Sequence, residues 1–339
     1  DRFPGIVASL MSEPHPKPAD ARAAILQAFA QWQGHQGERY VARGPWRVKA
    51  RHLALPAALP RLIRPRVPGL GPKVMAGLLA NRSLHGIEHL PIENDAVQLA
   101  ESGARVRAFD YAAGASRKLV RLDSKYGAGV ERDLAVRGEL LARARVRHPE
   151  LHHSARDATH VFVEEELVQG RRFAPYLDFR HLEGSLTEPL SRLYHTAGIR
   201  HLPVAEAIGP AVAEHVLALA PESAVVRHAQ ALLRGNAVIA AGFAHGDLLP
   251  SNLAVDRAGV VFLDWETAGY APVGFDLLRL WRKYPQTRAF LRGAQALIDR
   301  HQDRGLDLRD TASLQLAMGL LVAAPKRTHA ALHAWPRLA

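Results

Sequence analysis

The chain has 339 residues, 48% of them hydrophobic, no cysteine, and 44 Lys and Arg against 33 Asp and Glu, a net charge of +11. That length and apolar content suit two lobes or domains with sizeable cores and exclude wholesale disorder. The missing cysteines exclude disulfide frameworks, thiolate zinc sites and cysteine nucleophiles, and permit a reducing, cytoplasmic setting. The basic surplus favours anionic partners without choosing among them.

No apolar run reaches membrane-spanning length, so no membrane span is expected. The chain opens on Asp1-Arg2-Phe3-Pro4, with no initiator Met and no signal-peptide apolar core, which reads as an N-terminus trimmed of its first residues.

Residues 1–95 form the first block. Positions 19–32 have helical periodicity through Ala23, Ile25, Leu26, Phe29 and Trp32, with Asp20 as a candidate cap. A basic stretch follows at 43–51 and a Pro-, Gly- and Arg-rich one at 56–72, a poor helix or strand. A short helix fits 74–80. The block reads as a mainly helical or irregular extension, either a solvated decoration or a surface for an anionic partner.

From about residue 96 the pattern becomes strand-like. Residues 104–111 alternate small or apolar with polar side chains, residues 112–116 make a turn with one glycine, Gly114, and residues 118–122 form a second strand. Residues 129–145 carry a helical apolar stripe of Val130, Leu134, Val136, Leu140 and Leu141. Residues 159–170 are β-prone, then acidic, then end at Gly170. Helices are expected at 182–194, 204–219 and 225–240, the last running straight into the polar loop 244–252.

That loop reads Ala-His-Gly-Asp-Leu-Leu-Pro-Ser-Asn and holds Asp247 and Asn252. Two short apolar strands follow around a polar turn at 256–259, and the second delivers Asp264, then Trp265. A hairpin with a loop before it and an acid after it would gather Asp247, Asn252 and Asp264. The trio suits phosphoryl transfer. One carboxylate accepts the proton of an attacking hydroxyl, while an amide and a second carboxylate hold Mg²⁺ through oxygen. Beyond it, Gly274-Phe275-Asp276 opens a helix with Asp276 as cap or first-turn acid, and further helices fit 290–303 and 311–323.

At His245-Gly246-Asp247, Asn252 and Asp264-Trp265 the chain resembles the aminoglycoside/choline phosphotransferase branch of the protein-kinase-like superfamily. The resemblance implies a two-lobed α+β fold: a small β-rich lobe with hinge over 96–170 and a larger helical lobe over 171–339. It implies ATP as co-substrate and Mg²⁺ as cofactor, Asp247 as catalytic base, His245 as loop scaffold, and Asn252 and Asp264 as metal ligands. The 104–122 hairpin would cover the nucleotide phosphates, although a multi-glycine loop is absent. Lys118 would hold those phosphates with Glu131 orienting it, or Lys125 with Glu139 in their place. Backbone groups near Glu166 and Leu167 would meet adenine, and Asp276 would brace the catalytic loop. The acceptor would be a hydroxyl of a sugar, glycan or other small molecule. The alternatives are a pseudokinase or nucleotide-binding scaffold, and a protein kinase. No nucleic-acid-binding module, Walker or Rossmann glycine set, internal repeat or histidine metal motif is evident; His148, His152 and His153 read as a surface loop, and His329 and His333 lack a metal-site glutamate.

Overall fold

The computed structural model describes residues 18–33, 38–43, 46–49, 87–90, 96–99 and 104–301, apart from 111, 169, 176–177, 179–182 and 223. The chain divides into two compact units: Asp1–Ile63, Gly69–Ala128 and Glu150–Leu167 make the first, and Arg64–Pro68, Gly129–Pro149 and Val168–Ala339 the second.

One antiparallel sheet runs through the first unit. Its strands are β1 (Glu38–Arg43), β2 (Trp46–Lys49), β3 (Ile87–Leu90), β4 (Ala96–Leu99), β5 (Arg105–Asp110), β6 (Ala115–Arg121), β7 (Leu151–Arg156) and β8 (His160–Glu166), in the order β3-β1-β2-β4-β5-β6-β8-β7. The expected 104–122 hairpin is β5 and β6, with Val106 opposite Leu119 and Arg107 opposite Lys118. Helix α1 (Pro18–Gln33) is the helix expected at 19–32. Ile25, Leu26 and Phe29 share one helical face, which packs on Val106, Ala108, Leu119 and Phe162. Within the block read as helical or irregular, β1, β2 and β3 are strands hydrogen-bonded into this sheet.

The second unit contributes α2 (Gly127–Ala135), which begins in the first unit and continues as a wider π-type turn over Val136–Leu141. After β9 (Arg171–Arg172) come α3 (Glu188–Ala197), β10 (Arg200–Pro203), α4 (Val204–Ile208), α5 (Pro210–Ala218), α6 (Ala224–Arg234) and β11 (Val238–Ala244). The rest is β12 (Leu253–Asp256), β13 (Gly259–Phe262), β14 (Gly269–Pro272), α7 (Phe275–Lys283) and α8 (Arg288–His301). Two three-stranded sheets run β10-β11-β14 and β13-β12-β9. The main core gathers Leu190, Leu193, Tyr194, Phe262, Trp265, Leu277 and Phe290. The α+β class and its division into a sheet-rich and a helix-rich unit are those expected.

Two helices differ from the sequence reading. The one expected over 204–219 is broken between α4 and α5, because Gly209 takes φ +90° and Pro210 lacks the N–H that would continue the ladder. The one expected over 225–240 stops at Arg234. Asn236 turns the chain with φ +47°, and Val238–Ala244 pairs between β10 and β14, so a strand leads into the polar loop. The helix expected at 290–303 is α8. The Pro- and Arg-rich stretch at 56–72, the helices expected at 74–80 and 311–323, and His329 and His333 lie outside the described residues. Among the described residues no helix is long and apolar enough to cross a membrane.

Phe29 is fully buried, with its ring centroid 6.2 Å from that of Phe162. Phe29→Ala is expected to destabilise the first unit by about 3–5 kcal/mol, read as a lower urea midpoint. An unchanged midpoint would show that α1 adds nothing to the sheet's stability.

Candidate active site

The polar loop after β11 is fixed from below by Asp276, fully buried in the first turn of α7. Its Oδ2 accepts the His245 N–H at 2.7 Å and its Oδ1 the Gly246 N–H at 3.0 Å. Burial pushes the Asp276 carboxyl above its ordinary range, opposed by the nearby His245 and by those two backbone donors. The bracing expected of Asp276 is thus made through main-chain hydrogen bonds.

His245 is buried, with Nε2 2.8 Å from the Leu263 carbonyl and Nδ1 3.4 Å from the Asp247 N–H. The network places the ring proton on Nε2, leaving Nδ1 as acceptor. The ring stacks obliquely on Trp265 at 4.5 Å. Gly246 has φ +81°, and a Cβ there would sit 2.2 Å from the Thr267 carbonyl, so only glycine fits.

Asp247 and Asn252 meet directly. The Asn252 Nδ2 donates to the Asp247 carbonyl at 2.8 Å and to its Oδ2 at 3.2 Å. The amide nitrogen thus faces Asp247, and the amide oxygen of such a side chain is a hard donor. The β12–β13 hairpin has the expected register, with Val255 opposite Val260. Past its end, the Leu263 N–H donates to the Asn252 carbonyl at 2.9 Å, which ties the residue before Asp264 to Asn252. Asp264 itself holds φ +66°, a left-handed conformation that an Asp adopts only when its surroundings enforce it.

The surroundings that enforce it come partly from α2. Asp133 is buried and its Oδ1 accepts the Trp265 N–H at 3.1 Å. The same carboxylate is held by Arg137, through Nε at 3.0 Å and Nη2 at 2.8 Å. One residue earlier, the Arg132 guanidinium donates to the Glu266 carbonyl at 2.7 Å. Sequence reasoning missed Asp133 and Arg137, although an acid and an arginine four residues apart on a helix are a pairing signal.

Arg279 was missed as well. It lies one turn after Asp276 on α7, with Nη1 2.6 Å from the Gly246 carbonyl and Nη2 2.5 Å from the Asp247 Oδ1.

The nucleotide candidates lie mainly in the first unit. Lys118 on β6 is wholly buried, and its Nζ is 3.9 Å from the Glu165 Oε1 on the neighbouring β8. A buried ammonium requires such a counter-ion, and Glu165 was not singled out in the sequence. Glu131, the expected partner, is half-buried on α2 within the second unit. Lys125 is exposed, with its Nζ 5.0 Å from the Tyr126 ring, and Glu139 is exposed too. At the expected hinge, the Glu166 N–H donates to Glu150 at 2.8 Å and the Leu167 N–H to Gly114 at 2.6 Å. The chain leaves the first unit at Leu167. The β5–β6 turn is closed by the Asp110 Oδ1, which accepts the Ala113 N–H at 2.9 Å.

No curated protein matches the chain. Solved structures that match include an aminoglycoside-3'-phosphotransferase of type VIII, 20% identical, covering 66% of this chain and 90% of that one, with a TM-score of 0.44. Amicoumacin kinase hAmiN is 14% identical, covering 64% and 76%, with a TM-score of 0.43. Choline kinase LicA from Streptococcus pneumoniae is 13% identical, covering 65% and 89%, with a TM-score of 0.42. Residues 138–307, half of the chain and the span that holds Asp133's partner Trp265 together with Asp247, Asn252, Asp264 and Asp276, match the phosphotransferase enzyme family (APH), and the chain belongs to that family.

Proposed function

We propose that this phosphotransferase moves the γ-phosphoryl group of ATP, with Mg²⁺, to a hydroxyl of a small molecule or glycan in the cytoplasm. The observation that carries the reading is the joined trio inside the matched span. Asn252 touches Asp247 with one side of its amide and bonds through its carbonyl to the residue before Asp264.

The roles follow from the donor chemistry. Asp247 is partly exposed and carries a carboxylate, so it can orient an acceptor hydroxyl and take its proton. The Asn252 Oδ1 and the Asp264 carboxylate are hard oxygens, and one or two such protein ligands beside nucleotide phosphates are a usual Mg²⁺ environment. When bound with ATP, Mg²⁺ would supply positive charge that neutralises the phosphates. Lys118 would steady the α/β-phosphates, with Glu165 offsetting its charge within the sheet. Burial favours Lys118 over the exposed Lys125. Adenine would meet backbone at Glu166 and Leu167, and the Leu167 N–H would leave Gly114 to reach a base. Positioning and electrostatics carry most of the rate in such chemistry.

Asp247→Asn keeps the shape of the side chain and removes the base. Phosphoryl transfer from labelled ATP to pooled small-molecule acceptors should fall by about 10²–10⁴-fold while ATP affinity stays near that of the wild type. Equal label transfer by both proteins would remove Asp247 from the mechanism.

Lys118→Ala should weaken ATP use in the same assay far more than Lys125→Ala does. Loss in the Lys125 variant alone would move the nucleotide lysine to Lys125, with Glu139 as its partner.

A further inference from the structure

Asp247 accepts from Asn252 at its main-chain carbonyl and Oδ2 and from Arg279 at Oδ1, and Arg279 also grips the residue before it. The Arg279 fork donates through Nη1 to the Gly246 carbonyl at 2.6 Å and through Nη2 to the Asp247 Oδ1 at 2.5 Å. The Asn252 amide meets the other carboxylate oxygen, Oδ2, at the longer distance of 3.2 Å. The guanidinium is itself anchored, because the carbonyl it grips belongs to the residue whose N–H is bound by Asp276. Asp276 and Arg279 are three residues apart on α7 and so project on the same side of that helix.

Stability does not explain the pair. The Arg279 and Asp247 side chains are 38% and 33% exposed, a setting in which an ion pair contributes little to folding. What the fork does provide is orientation. The last torsion of an aspartate is broad and roughly two-fold, so a carboxylate held at one oxygen by a fixed donor loses a freedom it would otherwise keep.

Resting on the phosphotransferase reading above, we propose that Arg279 is a positioning residue that fixes Asp247 so that Oδ2 receives the acceptor proton. In that step the acceptor oxygen forms a bond to the γ-phosphorus, and the bond from that phosphorus to the β–γ bridging oxygen breaks. Its electron pair leaves with ADP, and the acceptor proton passes to the Asp247 Oδ2. Arg279 keeps its two hydrogen bonds throughout and exchanges no proton.

The test uses the full chain with ATP, Mg²⁺ and water as acceptor, following ADP release by wild type, Arg279→Ala, Arg279→Lys and Asp247→Asn. A carboxylate released from its productive orientation should lower kcat by about 10²-fold in Arg279→Ala, with the KM for ATP unchanged. Millimolar guanidinium should restore part of that loss in Arg279→Ala and none in Asp247→Asn. Arg279→Lys should fall between, because an ammonium cannot span the Gly246 carbonyl and the Asp247 Oδ1 together. Thermal melting should be alike in all four proteins. Wild-type kcat in Arg279→Ala, or a loss that guanidinium leaves untouched, would overturn the proposal while Asp247-dependent turnover kept the enzyme reading intact. ADP release by Asp247→Asn as fast as by wild type would overturn that reading, and the proposal with it.

Discussion

The site depends on one buried carboxylate. Asp276 sits fully enclosed at the start of α7 and accepts two consecutive backbone N–H groups, those of His245 and Gly246. A buried donor left without a partner costs about 1–3 kcal/mol, so a loop that turns two donors inward is tied to the acid that satisfies them. Gly246 supplies the backbone conformation that makes the turn inward possible, since the Thr267 carbonyl fills the space a side chain would need. From this anchor the geometry passes outward in short steps. Arg279 grips the Gly246 carbonyl, Asp247 is gripped by Arg279, and Asn252 closes on Asp247 from the other side.

A second constraint acts on the strand that follows. Asp264 holds a left-handed backbone, a conformation that costs a non-glycine residue about 1–3 kcal/mol and persists only when its neighbours are pinned. Here both neighbours are. The Leu263 N–H is bonded to Asn252 and its carbonyl to His245, while the Trp265 N–H is bonded to Asp133. The buried Trp265 ring contacts both His245 and Phe262, so main core and polar loop share one side chain. Helix α2 holds this turn through Asp133 and Arg132, and Arg137 compensates the buried charge of Asp133. The two constraints together fix the backbone on both sides of the trio.

The sequence is informative where residue type is tied to chemistry. Asp247, Asn252 and Asp264 stand out because few roles other than metal and proton handling call for that set at that spacing, and Asp276 stands out at a helix start. The β5–β6 hairpin and α1 follow from simple periodicity. Other features depend on packing that a linear pattern does not carry. Val238–Ala244 is apolar and small enough to extend α6, and only its partners β10 and β14 make it a strand. Strands β1 and β2 left a faint trace in Tyr40, Val41, Trp46 and Val48 around Gly44 and Pro45, overshadowed by the Pro- and Arg-rich stretch after them. Glu165 reads as one of three consecutive acids, and its burial beside Lys118 follows from the alternation of β8 within the sheet. Arg279 and Asp133 read as ordinary charges on amphipathic helices until the backbone groups they meet, 33 and 132 residues away, are known.

The central claim is that a γ-phosphoryl group leaves ATP and arrives on a hydroxyl. Phosphorus NMR of the full chain with ATP, Mg²⁺ and a pooled set of neutral and anionic hydroxyl compounds follows that group to its destination. The account predicts a new phosphomonoester resonance growing in step with ADP, and no growth when Mg²⁺ is chelated. Bound but unconsumed ATP, with no phosphomonoester from any acceptor in the pool, would contradict it and leave a nucleotide-binding scaffold.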